Sequence, residues 1–150
     1  MPSVIRLARP EDRRRVEAIV QAAYGKYVSR MGREPMPMRD DYAALIDEQC
    51  IHVLDDDGDI KGLVVLIREP DTLLLHNVAV APDAQGSGLG RLLLMFAERT
   101  AREAGFASIR LYTNEVMTEN IALYTRIGYV ETNRGDEKQF RRVYFTKALG

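Results

Sequence analysis

The chain has 150 residues, of which 46% are hydrophobic and 29% charged, and its net charge is −1. This length and composition predict one soluble globular domain, residues 1–150, in the cytoplasm. The near-neutral charge and the scattered basic residues argue against a nucleic-acid partner, and no apolar run approaches the roughly 20 residues needed to span a membrane. One cysteine, Cys50, and two histidines leave neither an internal disulfide nor the spacing of a metal site.

The first third of the chain is predicted to hold a short strand and two helices. Residues 4–8 form the strand, and Pro10 with two acids behind it marks the start of a helix that reaches Tyr27. A second short helix is predicted over residues 40–48. Between them, residues 29–39 contain two prolines and a glycine, which predict irregular structure. This methionine-rich segment either packs on the core or forms an adaptable wall of a binding site.

A β-hairpin is predicted next. Residues 51–54 and 60–67 are apolar strands, and Asp57-Gly58 is their turn. Alternation along the first strand places His52 on the opposite face from its two neighbours. The sequence therefore predicts that His52 is a surface histidine or one whose ring nitrogens are hydrogen-bonded.

A central strand is predicted over residues 73–80, because this β-rich apolar run stops at Pro82. Side chains alternate between the two faces of a strand. One face of this strand therefore carries Leu74, His76, Val78 and Val80.

A glycine-rich loop and a helix that ends at Gly105 follow this strand. Strand, glycine loop and helix start together make a site for an anion, most often phosphate, because the first backbone N–H groups of a helix have no partners. The loop ends in Gly90-Arg91-Leu92 and lacks the Gly-Lys-Ser/Thr of nucleotide hydrolases. Arg91 also stands where the dinucleotide fingerprint needs glycine, which argues against a dinucleotide oxidoreductase. The remaining pattern is Gln85-x-x-Gly88-x-Gly90.

The last third is predicted to contain three strands and one helix. Residues 108–113 form a strand, and a short helix runs from Thr118 through Tyr124 and ends at Gly128. Two closing strands, residues 129–132 and 142–147, are joined by a polar connection over residues 133–139.

The glycine pattern after the central strand resembles the coenzyme A loop of the GNAT superfamily, the Gcn5-related N-acetyltransferases. The segment from Asn120 through Tyr124 to Gly128-Tyr129 strengthens the resemblance, which covers most of the chain. It implies an α+β fold, an α/β/α sandwich with a mixed, mostly antiparallel sheet of six to seven strands and about four helices. It also implies a splay between the central strands 4 and 5.

The resemblance implies acetyl-CoA as the cofactor. The pantetheine arm would bond to the backbone at Val78, Ala79 and Val80. The pyrophosphate would lie on the backbone amides of the loop, namely Gln85, Gly86, Ser87, Gly88, Leu89, Gly90 and Arg91. The side chains of Arg91 and Arg126 are either phosphate ligands or solvated helix arginines. Met117 stands where the family often has a pantetheine-binding asparagine, and Asn120 is a candidate replacement on the same helical face as Tyr124.

The resemblance also implies chemical roles. The backbone N–H of Val78 would polarise the thioester carbonyl, and the Tyr124 hydroxyl would protonate the departing thiolate. A primary amine has a pKa near 10 and must lose a proton before it attacks. His76 is the candidate base; a water chain, or a structural role for His76, stays open. Tyr112 is the reserve candidate.

The sequence therefore predicts an N-acetyltransferase that moves an acetyl group to a primary amine of a small molecule by direct attack in a ternary complex. The alternatives are a protein or peptide amine as acceptor, or a non-catalytic acyl-CoA-binding module. The acceptor is not readable, and a homodimer, common in the family, stays open. The candidate substrate-binding residues are Tyr27, Met31, Met36, Tyr42 and Tyr112.

Overall fold

Seven strands and five α-helices are formed by residues 3–137 and 140–150, the part of the chain that the computed structural model describes. The strands are Ser3–Leu7 (β1), Ile51–Asp56 (β2), Asp59–Arg68 (β3), Leu73–Val80 (β4), Ser108–Asn114 (β5), Val130–Glu137 (β6) and Phe140–Ala148 (β7). The helices are Arg13–Tyr24 (α1), Lys26–Met31 (α2), Tyr42–Asp47 (α3), Leu89–Glu103 (α4) and Thr118–Arg126 (α5). Short 3₁₀ turns occupy Pro10–Asp12, Met36–Arg39 and Pro82–Ala84.

The strands form one mixed sheet in the order β1-β2-β3-β4-β5-β7-β6. Strand β2 is antiparallel to β1 and β3, and β7 is antiparallel to β5 and β6. The pair β4 and β5 is parallel, and α4 supplies the crossover that a parallel pair requires. The predicted fold class is therefore confirmed.

The chain divides into two compact units. The first runs up to Leu66 and also contains Asn77–Ala97; its buried side chains include ones from α1, α3, β2, β3 and the first half of α4. The second contains Ile67–His76 and Glu98–Gly150, and its buried side chains include ones from the start of β4, from β5 and β7, and from α5. Strand β4 and helix α4 each contribute residues to both units.

Polar contacts in the second unit hold the beginning of β4 beside β5. Arg110 makes two bonds to the Glu69 carboxylate, at 2.6 and 2.7 Å, and its guanidinium holds the pKa of that carboxyl below its usual value. The Thr72 hydroxyl donates to the carbonyl of Ser108 at 2.8 Å. The parallel ladder that starts here consists of three residue pairs and ends at Leu75 and Leu111.

Three local predictions need correction. The first predicted helix is split at Gly25, where a Cβ would lie 2.9 Å from the Gln21 carbonyl oxygen, so the described residues form five α-helices where about four were expected. Met36–Arg39 forms a 3₁₀ turn rather than irregular structure, with Met38 N bonded to Pro35 O. The predicted connection 133–139 is strand as far as Glu137, because an edge strand tolerates polar residues on both faces; Lys138 and Gln139 lie outside the described residues.

The prediction for His52 is also wrong. Its ring lies against Phe96 of α4, with the ring centroids 4.8 Å apart, and its buried Nδ1 has no hydrogen-bond partner among the described residues. Alternation on β2 gave the correct face, but α4 covers that face. Burial therefore lowers the pKa of His52 below its usual 6.5.

Acid should destabilise the fold through this ring. Because the pKa of His52 is lower folded than unfolded, its contribution to stability is full above the unfolded value of 6.5 and is lost as the pH falls from there through the lower folded pKa. We expect the free energy of unfolding to fall less from pH 7.5 to 5.5 in His52→Leu than in the wild type. The difference should be at most about 1 kcal/mol, since the side chain is half-buried. Urea denaturation at the two pH values measures this, and an equal fall in unfolding free energy in both proteins would contradict it.

Candidate active site

The loop between β4 and α4 has a backbone that only glycine adopts easily. Gly86 and Gly88 have φ angles of +84° and +86°, in the left-handed region. A Cβ built at either residue would meet no atom within 4 Å. The conformation therefore needs glycine, and the space beside both residues is open to a ligand.

Helix α4 begins in this loop. Its first hydrogen bond runs from Leu92 N to Gly88 O at 3.1 Å, so the amides of residues 88–91 have no partner within the helix. These groups and the helix dipole give the site a positive potential. Gln85 donates its side-chain Nε2–H to Val80 O at 3.2 Å, and the Ser87 hydroxyl donates to the carbonyl of Ala84. These side chains brace the loop.

The end of β4 alternates in burial. Asn77 and Ala79 are buried, whereas Val78 and Val80 are half-exposed. Within the first unit, a Cβ at Gly90 would lie 3.7 Å from the Val80 side chain. The predicted backbone ligands and the glycine loop are therefore neighbours.

Sequence reasoning missed a buried polar chain in the first unit. Tyr24, at the end of α1, donates its hydroxyl to Asn77 Oδ1 at 2.6 Å and lies 3.1 Å from Val78 O. Asn77 Nδ2 donates to the Tyr42 hydroxyl at 3.0 Å, and that hydroxyl donates to the carbonyl of Pro37. The only sequence signal was a polar residue in an apolar strand.

The second unit brings the candidate base and its reserve together. His76 Nδ1 and the Tyr112 hydroxyl are 3.5 Å apart, and their rings meet edge-on. Tyr112 pairs across the sheet with Tyr144, and the guanidinium of Arg142 lies 4.1 Å from the Tyr112 ring centre. Arg142 is only 7% exposed, so a buried positive charge borders this pair. Sequence analysis did not single out Arg142.

Tyr124 lies on α5 in the second unit. It is 6% exposed, and its ring centre is 5.9 Å from that of Tyr129 and 6.1 Å from that of Phe145. In the turn that precedes α5, the Asn114 side-chain oxygen accepts from Val116 N at 3.1 Å. Arg126 is exposed on the same helix.

Asn120 and Met117 are in contact. The buried Met117 sulfur accepts from the Thr113 hydroxyl at 3.3 Å and from Asn120 Nδ2 at 3.8 Å. The second contact is long and weak, and Asn120 is half-exposed. Its amide can therefore turn to another acceptor at low cost.

The predicted substrate residues differ in exposure. Tyr27 and Tyr42 are each 3% exposed, and Lys26 Nζ and the Arg30 guanidinium lie 5.1 and 5.2 Å from the Tyr27 ring centre. Met31 and Met36 are half-buried. The methionines therefore keep accessible surface, whereas both tyrosines are buried.

The comparisons with known proteins agree with this geometry. Residues 15–129 match the model of the acetyltransferase (GNAT) family. The chain belongs to the GNAT family. It is therefore an acetyltransferase, and its cofactor is acetyl-CoA.

Relatives of this GNAT chain have several acceptors in their names. The 5-NmdU N-acetyltransferase of Pseudomonas phage PaMx11 is 30% identical over 84% of this chain and 86% of its own. A mycothiol acetyltransferase of Pseudarthrobacter chlorophenolicus is 40% identical over 37% of this chain. The matched segment is only 17% of that protein's length. The PaiA N-acetyltransferase of Thermoplasma acidophilum, solved with coenzyme A, is 17% identical over 99% of both chains with a TM-score of 0.82; this likeness shows the fold.

The loop of this GNAT chain fits the diphosphate of acetyl-CoA. The amides of residues 88–91 face no helical partner, the two glycines leave open space, and Arg91 is exposed beside them. Within the described residues, no three His, Cys, Asp or Glu side chains are grouped so as to hold a metal ion. No helix among those residues is long and apolar enough to cross a membrane.

The buried hydroxyl of Tyr129 provides a stability test. It has no hydrogen-bond partner, and burial raises the pKa of this phenol above its ordinary value. An unsatisfied buried hydroxyl costs free energy, so Tyr129→Phe should leave the free energy of unfolding unchanged or raise it by about 1 kcal/mol. Urea denaturation measures this, and a loss of more than about 1 kcal/mol would show that the hydroxyl is bonded.

Proposed function

We propose that this GNAT protein transfers an acetyl group from acetyl-CoA to the primary amine of a small molecule by direct attack in a ternary complex. The observation that carries the proposal is the open glycine loop, whose free amides begin a fifteen-residue helix directly after β4. The names of two relatives, which refer to 5-NmdU and mycothiol, support a small-molecule acceptor.

The loop and β4 would bind the cofactor. The amides from Gln85 to Arg91 hold the diphosphate, with the Arg91 side chain as a further ligand and Arg126 as a second candidate. The backbone of Val78, Ala79 and Val80 binds the pantetheine arm as an added strand would. The Val78 N–H is the donor to the thioester carbonyl. One such donor is typically worth about 3–4 kcal/mol in the transition state.

Two side chains of the second unit would transfer protons. Tyr124 donates its hydroxyl proton to the departing thiolate. His76 accepts the proton of the amine, with the Tyr112 hydroxyl as its neighbour. The Arg142 guanidinium lies over the Tyr112 ring and helps to hold that ring in place.

The acceptor would meet a mixed surface. Met31 and Met36 adapt to different shapes because their side chains are unbranched and polarizable. The two methionines suit an amine with an apolar body. Tyr112, half-exposed on β5 in the second unit, is a separate candidate contact for the acceptor.

A screen of acceptors tests the proposal. Purified protein, acetyl-CoA and a thiol reagent would be combined with amino acids, polyamines, aminomethylated nucleosides and amino-terminal peptides, and thiol release measured. We expect release with at least one small amine. Turnover of peptides alone would move the assignment to a protein acceptor, and calorimetric binding of acetyl-CoA without turnover would indicate a non-catalytic module. A failure to bind acetyl-CoA would end the proposal.

A further inference from the structure

We propose that Tyr24 and Asn77 are positioning residues: the hydrogen-bond chain they form fixes the backbone at Val78 and ties the segment 36–42 to β4. The inference rests on the proposed function, in which the Val78 N–H faces the thioester carbonyl. It adds to that function a physical link between the backbone donor and the methionine-rich segment that the acceptor would meet.

In this hydrogen-bond chain, each donor of Tyr24, Asn77 and Tyr42 that is described below points to an acceptor. The single hydroxyl proton of Tyr24 points to Asn77 Oδ1 at 2.6 Å, with Val78 O as a second acceptor at 3.1 Å. Asn77 Nδ2 donates to the Tyr42 oxygen, which leaves the Tyr42 proton for the Pro37 carbonyl. Burial raises the pKa of Tyr42, so its hydroxyl keeps that proton. The side-chain amide of Gln21 adds a bond to Met38 O at 3.3 Å.

Burying this hydrogen-bond chain costs free energy, and the packing of the core does not require it. Asn77 is 4% exposed, and the next residue on its face of β4 is Ala79, which is apolar. Burying an amide is unfavourable unless it is hydrogen-bonded, and an apolar side chain would occupy the site without that requirement. A fully bonded buried network instead selects one conformation of the elements it joins.

The conformation selected includes both peptide groups of Val78. The Val78 N–H belongs to the peptide group that begins at Asn77, and the Val78 carbonyl belongs to the next one. One hydroxyl, that of Tyr24, holds the Asn77 side chain and the Val78 carbonyl together. The direction of the Val78 N–H is therefore fixed before any ligand arrives. An oxyanion donor contributes fully only when it is preorganised in this way.

The other end of this hydrogen-bond chain lies in the segment 36–42, which the amine substrate would contact. Tyr42 begins α3, and Pro37 lies in the turn Met36–Arg39. The bond between them holds this turn against α3, and Asn77 connects both to β4. Loss of the Tyr24 hydroxyl should therefore affect the Val78 backbone, whereas loss of the Tyr42 hydroxyl should release the turn.

Hydrogen exchange on the free protein tests the link without any substrate. We expect Tyr24→Phe to speed amide exchange about tenfold in peptides that cover residues 77–80, and Tyr42→Phe to do so over residues 36–42. Tyr129→Phe removes a buried hydroxyl that has no partner and serves as the matched control. Exchange equal to the control in both variants would overturn the proposed link.

Kinetics test the positioning role. In the active enzyme, Tyr24→Phe should lower kcat about tenfold and leave the KM for acetyl-CoA within about twofold, because the donor to the transition state is misaligned. Tyr42→Phe should chiefly raise the KM for the amine. An unchanged kcat in Tyr24→Phe would overturn the role at Val78. If the wild type acetylates no amine, the proposed function fails and the catalytic role fails with it, while the exchange result still decides the structural link.

Discussion

Replacing Tyr124 by phenylalanine should lower kcat for acetyl transfer by about one hundredfold, the usual contribution of a general acid. The KM for acetyl-CoA should change by less than about twofold. The reason lies in the packing: the ring is held between Tyr129 and Phe145, and a phenyl ring fills the same space. The proton donor is lost while the packing of the ring is kept, so cofactor binding survives and expulsion of the thiolate slows. Steady-state and single-turnover rates of thiol release measure this.

Tyr129→Phe is the control for this substitution. It removes a hydroxyl from the ring next to Tyr124, and its kcat should equal that of the wild type. If Tyr124→Phe also retained full activity in single turnovers, the thiolate would take its proton from water. Tyr124 would then be a packing residue, and the role that the family resemblance implies would not apply to this chain.

The strand, loop and helix around residues 73–105 could be predicted because their signals are local. A β-rich run, a proline stop and alternating glycines specify strand, turn and helix start within a short window. The glycine angles at Gly86 and Gly88 agree with that interpretation. Short local patterns of the same kind predicted the hairpin turn at Asp57-Gly58 and the stop of α4 just before Gly105.

The errors arose where a distant element decides the outcome. His52 lies on the predicted face of β2, but α4 places Phe96 against it. The strand β6 continues to Glu137 because β7 pairs with it, although its own residues are polar. A pattern within one segment cannot show which neighbour covers it.

The candidate site likewise combines features that have local sequence signals with features that depend on residues far apart in the sequence. The proposed backbone ligands and the proposed role of Tyr124 come from local motifs that resemble those of the family. The bonds from Asn77 to Tyr24 and Tyr42 join residues 53 and 35 positions apart, and Arg142 reaches the Tyr112 ring from a neighbouring strand. These partners depend on strand order and register, which single-sequence patterns do not specify.

The substitution Gly88→Ala should weaken acetyl-CoA binding strongly. Alanine at φ +86° is strained by roughly 1–3 kcal/mol, and its Cβ would occupy the open space where the diphosphate is expected. We expect the KM for acetyl-CoA to rise at least about tenfold, which corresponds to about 1.4 kcal/mol. The kcat at saturating cofactor should change little, because the residues that move protons are untouched.

The hairpin turn offers a matched control for that substitution. Gly58 has a φ of +91° and equally open surroundings, so Gly58→Ala imposes the same backbone strain outside the loop. Both variants should lose a similar amount of unfolding free energy, but only Gly88→Ala should lose cofactor affinity, measured by calorimetry as well as by KM. If both variants bound acetyl-CoA as tightly as the wild type, the result would show that the amides at the start of α4 do not bind the diphosphate. If both lost affinity equally, the effect would come from general destabilisation rather than from the loop.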